Sequence, residues 1–161
     1  MIERIEPLGP HHDRGAFSCG VQEIDDHLIA FNFEHQAPGH RLYVAVDVDG
    51  VVLGYYSLRP TVWKVKDARG RVIDYFVELE VAMLGVTNNL QGQGIIGIAL
   101  ITHAYETVLK VIALIGGIQR LWVGPLNPRC RNFYEKVGFV GVDNGSQLYI
   151  TVSEIADALS P

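Results

Sequence analysis

Leu84-Gly-Val-Thr-Asn-Asn-Leu-Gln-Gly-Gln-Gly-Ile-Ile-Gly97 is the stretch that decides the fold. It begins as the apolar end of a strand and finishes as the start of a helix. Between them, Gln91-Gly92-Gln93-Gly94-Ile95-Ile96-Gly97 places three glycines within the six residues from Gly92. Glycine lets backbone N–H groups approach a diphosphate, and a helix N-terminus adds a favourable dipole. A merely flexible connection seldom needs so many glycines, so a pyrophosphate cradle is the stronger reading. Gly92, Gly94 and Gly97 also spell the G-x-G-x-x-G of dinucleotide-binding folds. That motif opens directly from its strand and wants an acid roughly 20 residues on. Here the five residues Thr87 to Gln91 intervene, and Val111 to Ile115 offers no acid. The dinucleotide reading fails on both counts.

Working outward, Gly94 onward predicts a helix with Ile95, Ile98, Ala99, Thr102 and Tyr105 on its buried face, closed by Gly116-Gly117. Ile118 to Val123 reads as a strand. Asn127 at the N-cap and Pro128 at the first helical position start another helix, which Gly138 ends. Phe139 to Val142 and Gln147 to Val152, joined by Asp143-Asn144-Gly145, predict a hairpin, and a short amphipathic helix follows from Ser153. Upstream, Val21 to Phe33 reads as a helix with Ile24, Leu28 and Phe31 inward, Asp25, Asp26 and Glu34 outward, and Pro38-Gly39 as its stop. Arg41 to Asp47 and Val51 to Leu58 form a hairpin about Asp49-Gly50. Val62 to Val65 and an interrupted Val72 to Val86 form a second pair. The order predicts an α/β (α+β) domain with a mixed sheet.

The whole chain sets outer bounds. Its 161 residues fit one domain, 1–161, without linker or repeat, and 48% apolar residues can build a core. The longest near-continuous apolar run, Val111 to Ile115, is short of the ~20 residues a membrane span needs. Met1 to Pro7 has no basic stretch leading into an apolar one, so the expectation is a cytoplasmic protein without signal peptide or membrane partner. Cys19 and Cys130 read as reduced thiols. The net charge of −5 argues against a surface basic overall, yet Arg59, Lys64, Lys66, Arg69 and Arg71 crowd one stretch with only Asp67 against them. A solvated loop or strand edge is the plainer reading of that stretch and an anionic-partner site the other.

Two ordered motifs resemble the GNAT acetyltransferases. Val81 to Gly97, a strand ending Leu84-Gly85-Val86 and then Gln-x-x-Gly into a helix, is similar to the family's central motif. Asn127 to Phe139, Asn-Pro-Arg-Cys-Arg-Asn-Phe-Tyr-Glu-Lys-Val-Gly-Phe, is similar to its second signature. With their flanking strands they cover roughly Arg41 to Val152. The resemblance implies a mostly antiparallel central sheet of six to seven strands flanked by helices, and acetyl-CoA as co-substrate. It implies that the strand end Leu84, Gly85 and Val86 pairs with the pantetheine arm. Backbone N–H groups from Gln91 through Gly92, Gln93, Gly94, Ile95 and Ile96 to Gly97 would hold the pyrophosphate, and Asn127 would contact the cofactor. Tyr134 would protonate the departing thiolate, a role that suits a phenol neutral at pH 7; the plainer reading is a core aromatic beside Phe133. Ile96 stands where the family has a small residue, so its side chain either crowds the pyrophosphate or turns into the helix packing. Glu80 corresponds to the general base of histone-type members, a partly buried carboxylate of raised pKa; the alternative is an exposed strand residue like Glu78.

The opening Phe17-Ser-Cys-Gly-Val-Gln-Glu-Ile-Asp-Asp-His-Leu28, with Gly54-Tyr-Tyr-Ser-Leu58 and Leu148-Tyr-Ile150, resembles the toxin-type GNATs of toxin–antitoxin modules. That likeness implies an amine acceptor that is aminoacyl-tRNA, an antitoxin partner and a homodimer, with Arg59 to Arg71 as the local basic surface. A housekeeping acetyltransferase for a small amine or a protein lysine, with Glu80 as base, stays open beside it, as does a non-catalytic acyl-CoA-binding module. His11-His12-Asp13 is the one histidine cluster that could bind a metal, but adjacent side chains in a loop rarely converge, so no metal is expected. His27 and His35 are expected on the surface and His103 on the glycine-led helix.

Overall fold

The computed structural model describes residues 1–33, 39–141 and 146–161. Seven strands lie in the order β1-β2-β3-β4-β5-β7-β6, and four α-helices accompany them among the described residues. The chain divides into two compact units, residues 1–58 with 82–103 and residues 59–81 with 104–161. Strands β3 (Val52–Lys66) and β4 (Val72–Val86) and helix α2 (Ile95–Ile115) each contribute to both.

In the first unit β1 (Arg4–Pro7) runs antiparallel to β2 (Arg41–Val46), which runs antiparallel to the start of β3. Helix α1 (Gln22–Ile29) lays Leu28 into a core with Phe17, Leu42, Val44, Val52 and Tyr55, and the Tyr55 hydroxyl donates to Ile24 O at 2.7 Å. The helix is shorter than its periodicity predicts: Phe31 lies beyond its end and pairs edge-on with Phe33. Glu34, His35 and Pro38 lie outside the described residues. Asp25, expected on the wet face, is buried. Its Oδ1 accepts the Cys19 N–H at 2.7 Å and its Oδ2 the Ser18 hydroxyl at 3.0 Å, so it closes the loop that enters α1. Burial works against that charge, but these hydrogen bonds hold the carboxyl below its usual range. Burial, with Asp25 beside it, pushes the Cys19 thiol up to about 11; Cys19 and Cys130 are both free.

In the second unit β4 pairs in parallel with β5 (Ile118–Val123), and β5 pairs antiparallel with β7 (Leu148–Thr151), which carries β6 (Val140–Gly141). The turn between β3 and β4 is tied by Asp67, whose Oδ1 accepts the N–H groups of Arg69 and Arg71, both at 2.9 Å. Two strand segments were expected in β3; one continuous strand is found, carrying Pro60 on an exposed position. Helix α3 (Pro128–Lys136) starts where Asn127 Oδ1 accepts Cys130 N–H at 2.9 Å, and α4 (Val152–Leu159) starts from a Thr151–Glu154 capping box. The turn Asp143-Asn144-Gly145 and Val142 lie outside the described residues.

Helix α2 corrects two expectations. Its buried stripe is Ile96, Leu100, Ile101, Ala104, Tyr105 and Val108, whereas Ile95 and Ile98 are exposed. The helix is apolar on every side, so spacing alone carries no phase. By length and composition it is also long enough to cross a membrane, which the short run Val111 to Ile115 did not reveal. Glu106 and Lys110 sit within it, and Leu100, Ala104 and Val108 are fully buried, while 33% of its apolar window is buried in all.

Packing against α2 in the first unit depends on Gly54. A Cβ there would stand 2.9 Å from Ile96 Cγ2, 3.1 Å from Gly85 O and 3.1 Å from Leu100 Cδ1. Gly54→Ala should therefore destabilise the protein by about 1–3 kcal/mol through overpacking, read from the midpoint of urea unfolding. An unchanged midpoint would show that Ile96 is free to move aside.

Candidate functional site

The cradle lies in the first unit. β4 ends at Val86, a single 3-10 turn spans Asn88–Leu90, and Gly92 and Gly94 take φ of +80° and +76°. Only glycine adopts that left-handed region freely, and a Cβ on Gly94 would meet nothing closer than Ile98 Cδ1 at 3.6 Å. The conformation, rather than space, requires glycine there. The first helical bond of α2 runs from Ile98 N–H to Gly94 O at 2.9 Å. The N–H groups of Ile95, Ile96 and Gly97 precede it and have no partner within the helix. Gly92 to Ile95 are exposed. Ile96 and Gly97 are buried, so the exposed part of the cradle is the two positive-φ glycines and the head of the helix, where the leftover N–H groups and the helix dipole both suit an anion.

The Gln91 side chain does work the sequence did not reveal. Its Nε2 donates to Cys19 O at 2.7 Å and to Val86 O at 2.8 Å, tying the cradle loop to the segment before α1 and to the end of β4. Because both acceptors are backbone carbonyls far away in sequence or conformation, no motif could announce them.

The end of β4 is a half-used edge. Its ladder to β5 stops at Val81↔Val123 among the described residues. Met83 donates its N–H to Ser57 Oγ on β3 at 3.1 Å. By strand alternation Leu84 and Val86 turn their N–H and C=O groups the other way. Gly85 is packed instead: a Cβ would stand 2.8 Å from Ile24 Cγ2 and 3.2 Å from Phe17 Cζ. Ile96 is only 6% exposed and lies over Gly54, so of its two open readings the structure takes the inward one.

Tyr134, Asn127 and Glu80 belong to the second unit. Tyr134 is buried on α3, edge-on to Phe133 at 5.3 Å and to Phe139 at 5.4 Å. Its hydroxyl takes no partner among the described residues. Burial chiefly, and Cys130 secondarily, pushes the phenol well above its usual range, so it stays protonated at neutral pH. Asn127 spends its Oδ1 on capping α3 and keeps its amide nitrogen for another partner. Glu80 is 7% exposed with the Arg59 Nε donating to its Oε2, and Glu78, expected to be exposed, is 1% exposed and held by Arg120. Both acids therefore sit on a covered face of β4. Neither arginine was linked to them by any spacing in the sequence.

His11 and His12, expected to diverge, converge with Glu6. Their rings lie 4.0 Å apart, tilted by 46°, and His12 Nε2 lies 2.9 Å from Glu6 Oε1. Gly9 N–H donates to His12 Nδ1 at 2.9 Å, which places the ring proton on Nε2, facing Glu6. That tautomer fits a hydrogen-bonded loop and does not fit an Nε2 metal ligand. His27 is half-buried, stacked on Tyr55 rather than free on the surface, and His103 lies on α2 as expected.

The chain matches the model of the acetyltransferase (GNAT) family over residues 11–139. The probable toxin TacT of Sinorhizobium fredii is 40% identical over 57 residues, which make up 34% of this chain and 32% of that protein. The aligned stretch thus spans about a third of that relative. A solved structure of a mutant AtaT toxin bound to the C-terminus of the antitoxin AtaR and acetyl-CoA is 25% identical, covers 98% of both chains and superposes with a TM-score of 0.82. AtaT complexed with acetyl-methionyl-tRNAfMet matches with a TM-score of 0.79 over 98% of this chain and 99% of that one; at 24% identity this likeness is one of fold. With the motif-bearing residues, the sheet and four-fifths of the chain in agreement, the protein belongs to the GNAT acetyltransferase family.

Proposed function

We propose that the chain transfers the acetyl group of acetyl-CoA to the α-amino group of an aminoacyl-tRNA, in the cytoplasm, under the control of an antitoxin partner. The observation that carries the first half is the cradle: Gly92 and Gly94 at positive φ, with the N–H groups of Ile95, Ile96 and Gly97 left over at the head of a 21-residue helix. The pyrophosphate of acetyl-CoA is the anion it would hold, and the N–H and C=O groups of Leu84 with the N–H of Val86 would bond the amides of the pantetheine arm, the Val86 carbonyl being taken by Gln91. The amine nitrogen attacks the thioester carbonyl, the C–S bond breaks, and the thiolate takes the Tyr134 hydroxyl proton. The relatives named TacT and AtaT, the latter solved with acetyl-CoA, with its antitoxin and with an acetylated aminoacyl-tRNA, support the acceptor and the partner.

The acceptor also follows from what Glu80 is doing. An α-amino group with a pKa near 7.8 is roughly one-seventh neutral at pH 7, whereas a lysine is neutral in only about one molecule in 2,500. A lysine acceptor needs a strong base; an α-amine does not. Glu80 is engaged by Arg59, which favours the acceptor that can do without it.

Three outcomes are expected. Millimolar acetyl-CoA should raise the melting temperature, because it binds the native state alone, and Gly94→Val should lose that rise. A wild-type melt indifferent to acetyl-CoA counts against the reading. Tyr134→Phe should keep acetyl-CoA binding while turnover falls by ~10²-fold or more, and Tyr134→Ala should cost about 3–5 kcal/mol of stability; full activity in the phenylalanine variant removes the residue from the mechanism. The kcat/KM profile with an aminoacyl-tRNA should rise with pH and level off near about 8, the α-amine value, and keep that shape in Glu80→Gln. Loss of the acid limb in that variant would instead make Glu80 the base.

A further inference from the structure

The second unit holds a cavity of about 150 Å³ that the acetyl-transfer chemistry does not use. Trp63, Trp122 and Tyr149 form its walls, with Glu78, Arg120 and Gln147 among its lining. The two indoles meet edge-on at 6.1 Å, and the guanidinium carbon of Arg120 lies over the Tyr149 ring, 4.9 Å from its centre. Trp122 spends its indole N–H on Thr61 Oγ1 at 2.9 Å. The Trp63 N–H, in contrast, is shut from solvent with no partner among the described residues. An orphaned buried donor is costly and rare, so this one calls for an acceptor that arrives from elsewhere. Glu78 gives one oxygen to Arg120; its second takes no hydrogen bond among the described residues. The cavity therefore offers flat aromatic and guanidinium faces, one idle donor and one idle acceptor.

We infer that this pocket takes an unpaired adenine or cytosine from the 3′ end of the acceptor RNA. This rests on the aminoacyl-tRNA reading above. Single-stranded bases are held by stacking on aromatic rings and arginine planes, with hydrogen bonds along the Watson–Crick edge. Adenine and cytosine present on that edge an amino donor beside a ring-nitrogen acceptor. The amino group answers the idle Glu78 oxygen, as carboxylates accept from cytosine N4, and the ring nitrogen answers the Trp63 N–H. Uracil and hypoxanthine reverse that pattern and would set a carbonyl oxygen against the carboxylate. The unpaired end of a tRNA is C-C-A, so every base in it has the matching edge. An apolar amino-acid side chain is the competing occupant; it would leave both idle groups unmet and gain nothing from the Glu78–Arg120 pair.

The chain's two tryptophans both line the pocket, so intrinsic fluorescence reads it without a label. The full-length protein is titrated with the trinucleotide CCA and with its deaminated counterpart UUI, which keeps the rings and exchanges each amino group for a carbonyl. CCA should quench saturably, and UUI should bind at least about fivefold more weakly. Trp63→Phe, with Trp122 as reporter, should bring CCA to the level of UUI. Equal binding of CCA and UUI to the wild type, or no quenching by either, overturns the inference without needing any variant to fold. Quenching by methionine methyl ester and not by CCA overturns it too, and gives the pocket to the aminoacyl side chain. Acetyl transfer to aminoacyl-tRNA is measured in parallel. Transfer that persists while CCA is ignored sinks the pocket alone; CCA selectivity in a chain that acetylates no aminoacyl-tRNA supports the pocket and sinks the reaction.

Discussion

Backbone N–H and C=O groups must be paired, and the stretch from Leu84 to Gly97 leaves several of them over. The β4–β5 ladder stops at Val81↔Val123, five residues before β4 itself ends at Val86. Immediately afterwards the chain enters a helix whose first three N–H groups cannot have helical partners. A structure can meet such a surplus with water, with side chains or with a ligand. Here one side chain, Gln91, takes Val86 O, and the N–H groups at the head of the helix are left without a helical partner. Everything else in the first unit holds that stretch still. Gly54 lets Ile96 and Leu100 close over β3, Gly85 lets Phe17 and Ile24 close over β4, and Gln91 binds the loop to Cys19. Two of these contacts depend on the absence of a Cβ, which makes the scaffold intolerant at positions that touch no ligand.

The second unit is organised by charge inside an apolar frame. Glu78 and Glu80 are buried on β4 and are each met by an arginine from a different strand, Arg120 on β5 and Arg59 on β3. Breaking such a pair costs more than the pair contributes, because the surviving charge is left buried. The pairs therefore tie β4 to both neighbouring strands across one face of the sheet, and an isosteric apolar pair could serve stability as well. Their retention on the face that also carries Trp122, the register partner of Glu80, fits a surface that recognises something polar.

Much of the site was legible because local backbone chemistry specifies it. The positive-φ glycines Gly92, Gly94 and Gly138, the Asn127-Pro128 helix start and the bounds Ile118–Val123 all follow from rules that need only neighbouring residues. What escaped the sequence depends on partners remote along the chain. Asp25 has the composition of a wet-face residue and is claimed by Cys19 N–H; His11 and His12 converge because Glu6, on β1, draws them together. β1 itself is four residues with no alternation long enough to read. The phase of α2 was unreadable for a different reason: nearly every face of it is apolar, so burial was decided by which side met Gly54.

A net charge of −5 and the RNA substrate proposed above are compatible once distance is considered. Exposed charges more than ~8–10 Å apart scarcely interact at physiological salt, so a polyanion responds to the charges it touches rather than to the chain's total. The charge that matters is concentrated between Arg59 and Arg71. Of the acids near it, Asp67 is consumed by its own turn and by Arg71 and Glu80 by Arg59, while Asp74 stays exposed on the same hairpin. Lys64, Lys66 and Arg69 remain exposed on one β-hairpin. The rest of the surface, acidic on average, would repel RNA held in any other register. A local basic arm on an acidic body thus orients a nucleic acid more strictly than a uniformly basic surface would, at some cost in affinity. That trade would suit the proposed aminoacyl-tRNA acceptor, which has to arrive end-on with its 3′ amine at the thioester rather than lie anywhere along the protein.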